Sequence, residues 1–276
     1  MATATRSRRP RPPRDLPRQI HSLQDDLSKY YRFLIFGDPG TGKTPLACTA
    51  PNALVGDGDG GLVSALTAGS TAKVWTLNDW NDMLALYEWL RDGGTKEFDW
   101  LILDSLTLFQ ERGMDNVMDD LVASPKGSHR SIYLPDKGEY GQNMNRLGRT
   151  LRDLKRLPIN QVWTAHAQVF EVPQDNGEIV ERIMPAIQGG KGDLSRKICG
   201  YVSVVGHLEQ ITKTKTVNGK KKTTTTPVLI TDKKNGWYGK DRHSAIGRML
   251  NPTIPKMVAA IEGKLDPTKK TQQESE

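Results

Sequence analysis

Residues 33–44, which read F-L-I-F-G-D-P-G-T-G-K-T, decide the fold of this chain. The apolar run Phe33–Phe36 predicts a core strand, and the residues after it match G-x-x-x-x-G-K-[ST], a phosphate-binding loop between a strand and a helix. Glycines let the backbone turn where a Cβ would clash, so that the loop N–H groups converge on an anion. A chance glycine-rich turn is the alternative, which the full spacing and the preceding strand disfavour.

The loop therefore predicts that the chain binds a nucleoside triphosphate, ATP, together with Mg²⁺. Lys43 supplies a cation for the β- and γ-phosphates, and Thr44 supplies a hydroxyl ligand for the metal. The predicted nucleotide-binding residues are those of the whole loop: Gly37, Asp38, Pro39, Gly40, Thr41, Gly42, Lys43 and Thr44.

Composition narrows the class of protein. The chain has 276 residues, and its tails leave about 240 for folding, enough for one α/β domain with a sizeable core. No apolar run approaches the roughly 20 residues that span a bilayer, so no membrane association is expected. The two cysteines, Cys48 and Cys199, show no metal-binding or redox spacing, which favours a cytoplasmic protein.

The positive charge of the chain is concentrated at its N-terminus. The formal net charge is +7; six arginines and one aspartate in residues 1–18 account for five of these charges, which leaves +2 for the rest. We predict a disordered, basic, Arg/Pro-rich tail over residues 1–20. Such a tail either contacts nucleic-acid phosphates or serves only to keep the chain soluble.

Alternating strand and helix patterns predict one α/β domain over residues 21–264, followed by a disordered polar tail over 265–276. Parallel strands are expected at Phe33–Phe36, Ala53–Val55, Lys73–Leu77, Trp100–Leu103 and Gln161–Ala165. Helices are expected at Thr44–Ala50, at Asp79–Asp92 and from Tyr140 to Leu154, with a loop over 124–138. Hairpins over 169–183 and 201–231 predict antiparallel strands at the C-terminal edge of a mostly parallel sheet.

Carboxylates that follow two predicted strands are candidates for binding the metal and for orienting the attacking water. Asp104 follows an apolar strand, where a carboxylate holds Mg²⁺ through water, so Thr44 and Asp104 form the predicted metal site. Asp57 and Asp59 follow the second strand, and the carboxyl ends of parallel strands face the ligand. We expect Asp59 to orient the attacking water, with Asp57 as the alternative, although Asp-Gly clusters also form simple turns.

Three further polar residues are candidates for coupling and catalysis. His166 follows the strand Gln161–Ala165 and can sense the γ-phosphate from its tip, although a surface histidine fits the same pattern. Lys240 and Arg242 lie two residues apart on a late strand and therefore point the same way. They are expected to act on a neighbouring subunit's nucleotide, as arginine fingers do, unless they form a solvated basic edge.

Together these residues resemble the RecA-like ATPases, and more narrowly the phage-encoded single-strand-annealing ATPases often described as AAA-family proteins. The resemblance spans about residues 30–262 and is carried by the loop, Leu103-Asp104-Ser105-Leu106-Thr107, Tyr140-Gly141, Thr164-Ala165-His166 and Gly239-Lys240-Asp241-Arg242. It implies a RecA-like core in the host cytoplasm, ATP hydrolysis, and catalytic roles for Lys43, Asp59, Asp104, His166, Lys240 and Arg242. It also implies that Gln168–Gly192 contacts DNA.

The resemblance further implies that a homo-oligomer, either a ring or a filament, acts on single-stranded DNA in recombination or annealing. The residues alone support this less, because the basic clusters that neutralise phosphates fit solvated faces equally well. These clusters are Arg146, Arg149, Arg152, Lys155 and Arg156, and in the last hairpin Lys213, Lys215 and Lys220–Lys222. The alternatives are a nucleotide-switched assembly or clamp-type ATPase with no direct DNA role and, less favoured, a small-molecule phosphotransferase.

Overall fold

The computed structural model describes residues 30–125, 127, 129–173, 176–189, 192–217, 220–232 and 236–266. The predicted basic tail over 1–20, most of the polar tail over 265–276, and residues 218–219 within the second predicted hairpin lie outside the described residues. Within them, a ten-stranded set of β-elements is flanked by helices on both faces.

The strands are β1 (Arg32–Gly37), β2 (Ala53–Asp57), β3 (Lys73–Thr76), β4 (Trp100–Asp104), β5 (Asn160–Pro173), β6 (Ile179–Pro185), β7 (Val204–Val217), β8 (Lys220–Ile230), β9 (Lys240–Asp241) and β10 (Arg248–Leu250). The helices are α1 (Lys43–Ala47), α2 (Val63–Thr67), α3 (Trp80–Arg91), α4 (Leu106–Ala123), α5 (Lys137–Leu154), α6 (Asp193–Cys199) and α7 (Ile254–Ile261).

The main sheet has the strand order β10-β8-β7-β1-β5-β4-β2-β3. Strands β3, β2, β4, β5, β1 and β7 run parallel, whereas β8, β9 and β10 pair antiparallel at one edge. This arrangement confirms the predicted fold class, an α/β fold with a mostly parallel sheet flanked by helices and antiparallel strands at its C-terminal edge. Because β5 lies between β1 and β4, the segments that follow these three strands meet at one edge of the sheet.

Both faces of the sheet are buried, as the continuous apolar strands predict. In β1, Leu34 and Phe36 enter one core, which α3, α4, α5 and α6 cover, while Phe33 and Ile35 enter the other, which α1 and α7 cover. Each face therefore holds its own packed layer, and the polar loops remain at the two ends of the strands.

Several elements differ from the sequence-based prediction. Strand β5 continues past Ala165, because its first half pairs with β1 and β4 while its second half pairs with β6 in the predicted hairpin. Strand β7 is interior to the sheet, since it pairs in parallel with β1 before it turns into β8. Helices α2, α4, α6 and α7 were not predicted, and the apolar side chains of Leu84 in α3 and Tyr140 in α5 are exposed.

One close approach between α4 and α5 is testable at Gly113. A Cβ there would overlap Oδ1 of Asn143 and lie 3.1 Å from the Trp80 ring. Asn143 cannot retreat, because it is buried and its Nδ2 donates to the Gln110 carbonyl at 2.7 Å. Gly113→Ala is therefore expected to lower the free energy of unfolding by about 1–3 kcal/mol in chemical denaturation.

The matched control is Gly141→Ala in α5, where nothing lies within 4 Å of the added Cβ. This substitution is expected to leave stability unchanged or to raise it by up to about 1 kcal/mol, since alanine favours a helix. Equal stabilities for the two variants would contradict the close helix contact.

Candidate active site

The loop Gly37–Thr44 follows β1 and leads into α1 as the sequence predicts. Gly40 and Gly42 have φ angles of 78° and 96°, in the left-handed region that favours glycine. A Cβ at Gly37 would overlap the Leu208 carbonyl of β7, so this position requires glycine for a second reason, the neighbouring strand. The structure thus explains the glycines by backbone turning and by close packing.

The Lys43 side chain closes over the loop. Its Nζ donates to the carbonyls of Gly37 and Asp38, both at 2.9 Å, and the residue is buried. Burial lowers the pKa of Lys43, while the charges of Asp104, Asp38 and Asp59 act in the opposite direction. The amine is therefore held inside the loop, where a triphosphate could replace the two carbonyls as its partner.

The Asp104 carboxylate joins three elements. Thr44 Oγ1 at the start of α1 donates to Oδ2 at 2.6 Å, and Thr164 Oγ1 of β5 donates to Oδ1. Burial raises the pKa of Asp104 and the two hydroxyl bonds oppose that shift, while Asp57 and Asp59 raise it further. A hydroxyl and a carboxylate at this distance are hard oxygen donors suited to Mg²⁺.

Thr44 Oγ1 and Asp104 Oδ2 are two oxygens that could hold Mg²⁺, directly or through water. Within the described chain no group of three or more His, Cys, Asp or Glu side chains could hold an ion. Mg²⁺ does not require such a group, because it is usually held by one or two protein oxygens together with phosphates and water.

Asp57 and Asp59 take different positions after β2. Asp57 is buried, pairs in register with Asp104, and its Oδ1 accepts from the N–H groups of Asp59 at 3.1 Å and Gly60 at 3.0 Å. Asp59 is exposed, and its charge acts on both Lys43 and Asp104. Asp57 therefore forms the turn, and Asp59 is the carboxylate left free to meet water.

His166 lies beside the loop, in register with Gly37. Its N–H donates to Thr107 Oγ1 at 3.0 Å, and its carbonyl accepts from Ala186 N at 2.7 Å. Its Nδ1 is buried without a partner in the described structure. Thr107, in the first turn of α4, also donates to the Ala186 carbonyl at 3.0 Å, so it fixes the position at which β6 ends.

Lys240 and Arg242 lie at the opposite end of the sheet. Strand β9 pairs with Val204 and Val205, and these residues are in register with the start of β1 rather than with its loop end. Lys240 Nζ donates to the carbonyls of Val202 at 2.6 Å and Cys199 at 2.9 Å. The structure therefore brings together Lys43, Thr44, Asp59, Asp104 and His166 but not these two cations.

Comparison with known proteins agrees with this geometry. Residues 29–243 match the model of a family described as an AAA domain. The chain belongs to this family. It is an AAA-like P-loop ATPase, and none of its described helices is long and apolar enough to cross a membrane.

No curated protein matches the chain. Among solved structures, it is similar to a KaiC-like protein from the hyperthermophilic archaeon Pyrococcus horikoshii, with 13% sequence identity and a TM-score of 0.34. That similarity covers 72% of this chain and 77% of the archaeal one.

Several residues around the candidate site were not predicted from the sequence. Gln210 of β7 donates to the Gly40 carbonyl at 3.1 Å and so fixes the loop from the side. His207 stacks on Trp237 with ring centroids 3.8 Å apart and lies beside Phe36. Thr164, Gln210 and His207 reach the site only because their strands pair with its neighbours, and no local sequence motif indicates which strands pair.

We predict that Thr164→Val reduces catalysis while the fold persists. Valine keeps the shape of the side chain but removes the hydroxyl donated to Asp104, so the carboxylate loses part of its orientation. Catalytic turnover should fall about tenfold, with a stronger dependence on Mg²⁺ concentration. Thr76→Val on the exposed edge strand β3 is the control and should behave as wild type.

We also predict that His207 makes the free energy of unfolding depend on pH in the acidic range. Burial lowers its pKa to about 4 from the ordinary 6.5, with Lys43 contributing in the same direction and Asp38 opposing. Between these values the unfolded chain takes up a proton that the folded chain does not, so stability falls as the pH falls. His207→Gln should remove about 2–3 kcal/mol of the difference between the unfolding energies at about pH 7 and pH 4.5. An unchanged difference would contradict a buried, neutral imidazole.

Proposed function

We propose that this protein is an ATP-hydrolysing RecA-like protein that acts on single-stranded DNA as a homo-oligomer, in annealing or recombination of the kind that phage ATPases perform. The observation that carries the ATPase half is the Thr44–Asp104 hydrogen bond beside Lys43, formed by residues far apart in the sequence. The DNA half rests on the sequence resemblance and on the strand that joins the nucleotide site to the β5–β6 hairpin.

In the proposed reaction the loop N–H groups and Lys43 bind the β- and γ-phosphates of ATP. Thr44 and Asp104 would hold Mg²⁺, which neutralises charge that develops on the phosphate oxygens. The buried position of Asp104 favours this role, since a carboxylate desolvated beside two hydroxyls gains most from a cation.

Asp59 is proposed to orient the attacking water. Its exposure leaves the carboxylate free to accept a hydrogen bond, and the Asp57 turn fixes the backbone at Asp59 and Gly60. Asp57 itself is less suited, because its Oδ1 already accepts two backbone N–H groups.

His166 is proposed to couple the nucleotide to DNA. The strand that carries it continues without interruption into the second half of β5, which pairs with β6 from Ala167 to Pro173. This hairpin lies within Gln168–Gly192, the segment proposed to contact DNA. Its side chains Val169 and Ile179 are exposed apolar groups.

The trans-acting roles of Lys240 and Arg242 stay predictions. The bonds of Lys240 to two carbonyls weigh against a mobile finger, because a nucleotide would have to replace both. Arg242 is exposed, although its Nη2 also donates to the Gly200 carbonyl at 3.3 Å. Of the two, Arg242 is better placed to reach another subunit.

The test is ATP turnover measured with and without oligothymidylate. Wild type should be stimulated by DNA and should form larger assemblies with ATP in size-exclusion chromatography. Lys43→Ala should lose nucleotide binding, whereas Asp59→Asn should bind ATP normally and hydrolyse it about 100-fold more slowly. Asp57→Asn is the comparison, expected to lower stability more than turnover.

Two outcomes would contradict the proposal. Hydrolysis that ignores DNA, combined with no DNA retention at low salt, would favour the assembly or clamp-type ATPase. Full activity in Asp59→Asn would reject the role of that carboxylate while leaving the ATPase itself in place.

A further inference from the structure

Six cationic side chains lie at the start of β1, at the end of α5 and at the end of β9, which meet at the connection between α6 and β7, opposite the nucleotide site. The charge of Arg152 acts on the pKa of Tyr201 in this connection, and that of Arg156 acts on the pKa of Lys155. We name them the basal cation cluster: Arg32, Arg152, Lys155, Arg156, Lys240 and Arg242. We propose that this cluster binds the phosphodiester backbone of single-stranded DNA, as a surface separate from the β5–β6 hairpin. The inference rests on the proposed action on DNA and adds the place where the strand is held.

The cluster is assembled from three separate parts of the chain around residues 199–203. Arg32 begins β1, and its carbonyl accepts from the N–H of Ser203 at 3.0 Å. Arg242 reaches the same connection through its bond to the Gly200 carbonyl. Lys155, at the end of α5, lies with its Nζ 5.2 Å from the centroid of the Tyr201 ring.

Lys240 is the structural centre of this arrangement. Its bonds to the carbonyls of Cys199 and Val202, with Gly200 at 3.5 Å, tie the end of α6 to β9. Burial lowers its pKa to about 8, and the charges of Arg242 and Lys155 contribute to the shift. Lys240 thus holds the connection, and the arginines and Lys155 form the surface around it.

The charges of the cluster are mostly unpaired. Of its six members only Arg156 has an ion pair among the described residues, a 3.4 Å contact with Asp153. The nearby Asp241 is occupied by its own turn, since it accepts from the N–H groups of Ala245 and Ile246, both at 2.8 Å. Burial and then the charges of Arg32, Arg242 and Arg156 lower the pKa of Lys155, so these cations repel one another.

General basicity does not explain the grouping, since the chain beyond residue 18 carries a net charge of only +2. Bringing like charges together opposes folding, and a bound polyanion removes that repulsion. The half-buried Arg32 supports such a ligand, because its Nε is buried with no acceptor among the described residues.

The composition of the cluster favours phosphates over single anions. Four members are guanidinium groups, which donate two parallel hydrogen bonds to phosphate oxygens. Arg152 and Arg156 at the end of α5 and Arg242 after β9 are exposed, so they suit successive phosphates of one strand. The opposite end of the sheet remains free for ATP, and both ligands can therefore bind at once.

The test is fluorescence anisotropy of labelled oligothymidylate over a range of salt concentrations, without nucleotide. The double variant Arg152→Glu/Lys155→Glu is expected to bind about tenfold or more weakly, and its slope of log affinity against log salt should fall by about 0.7 for each lost phosphate contact. The control Lys73→Glu/Lys96→Glu changes the charge equally at the far edge of the sheet, where both lysines are exposed, and should match wild type within about twofold.

Wild-type binding that the Arg152/Lys155 variant retains, with the same salt slope, would overturn this inference and leave the proposed function standing. Failure of wild type to bind at low salt would overturn both. Displacement of DNA by polyglutamate at equal charge concentration would assign the cluster to acidic proteins and also overturn it. Thermal unfolding checks the fold of the variant, and Arg152→Gln/Lys155→Gln replaces it if the charge reversal does not fold.

Discussion

The carboxylate of Asp104 is the constraint on which the nucleotide site depends. A buried carboxylate without partners would be strongly unfavourable, and here the hydroxyls of Thr44 and Thr164 compensate for part of the lost hydration. Those two hydroxyls come from α1 and β5, so their bonds fix the loop helix and the His166 strand against β4. The same carboxylate that would hold the metal therefore also sets the spacing of the strands around it.

Because the strands of the sheet run parallel, acidic groups gather at one end of the sheet and cationic groups at the other. The segments that follow β1, β2 and β4, and the point at which β5 leaves the main sheet, lie at the loop end, and this explains why Asp59, Asp104 and His166 lie there. The segments that enter the strands gather at the other end, where Arg32 and the α6–β7 connection lie beside β9. Acidic groups surround the loop cation at one end, whereas cations surround a set of carbonyls at the other.

A residue's position could be predicted from the sequence wherever that position depends only on the strand, loop or helix that contains the residue. The loop glycines, Asp104 at a strand end, and the Asp79 cap of α3, which accepts from Asn81 and Asp82, are of this kind. Thr164, Gln210 and His207 could not be predicted, because their contacts depend on which strands pair. The surroundings of Lys240 could not be predicted for the same reason. Its spacing from Arg242 indicates that the two side chains point the same way, but the carbonyls that it contacts lie at and just after the end of α6, which no local pattern places beside β9.

The β5–β6 hairpin is connected to the nucleotide loop from both of its strands. On one side β5 runs directly from His166, whose register partner is Gly37. On the other side Ile183 of β6 exchanges backbone bonds with Gly236 and Tyr238, at 2.9 Å each, and the Trp237 between them stacks on His207. Burial lowers the pKa of His207, and the charges of Asp38 and Lys43 also act on it, in opposite directions. A shift of the loop on one side of β1 would therefore act on both strands of the hairpin, and the proposed nucleotide-controlled contact with DNA needs such a connection.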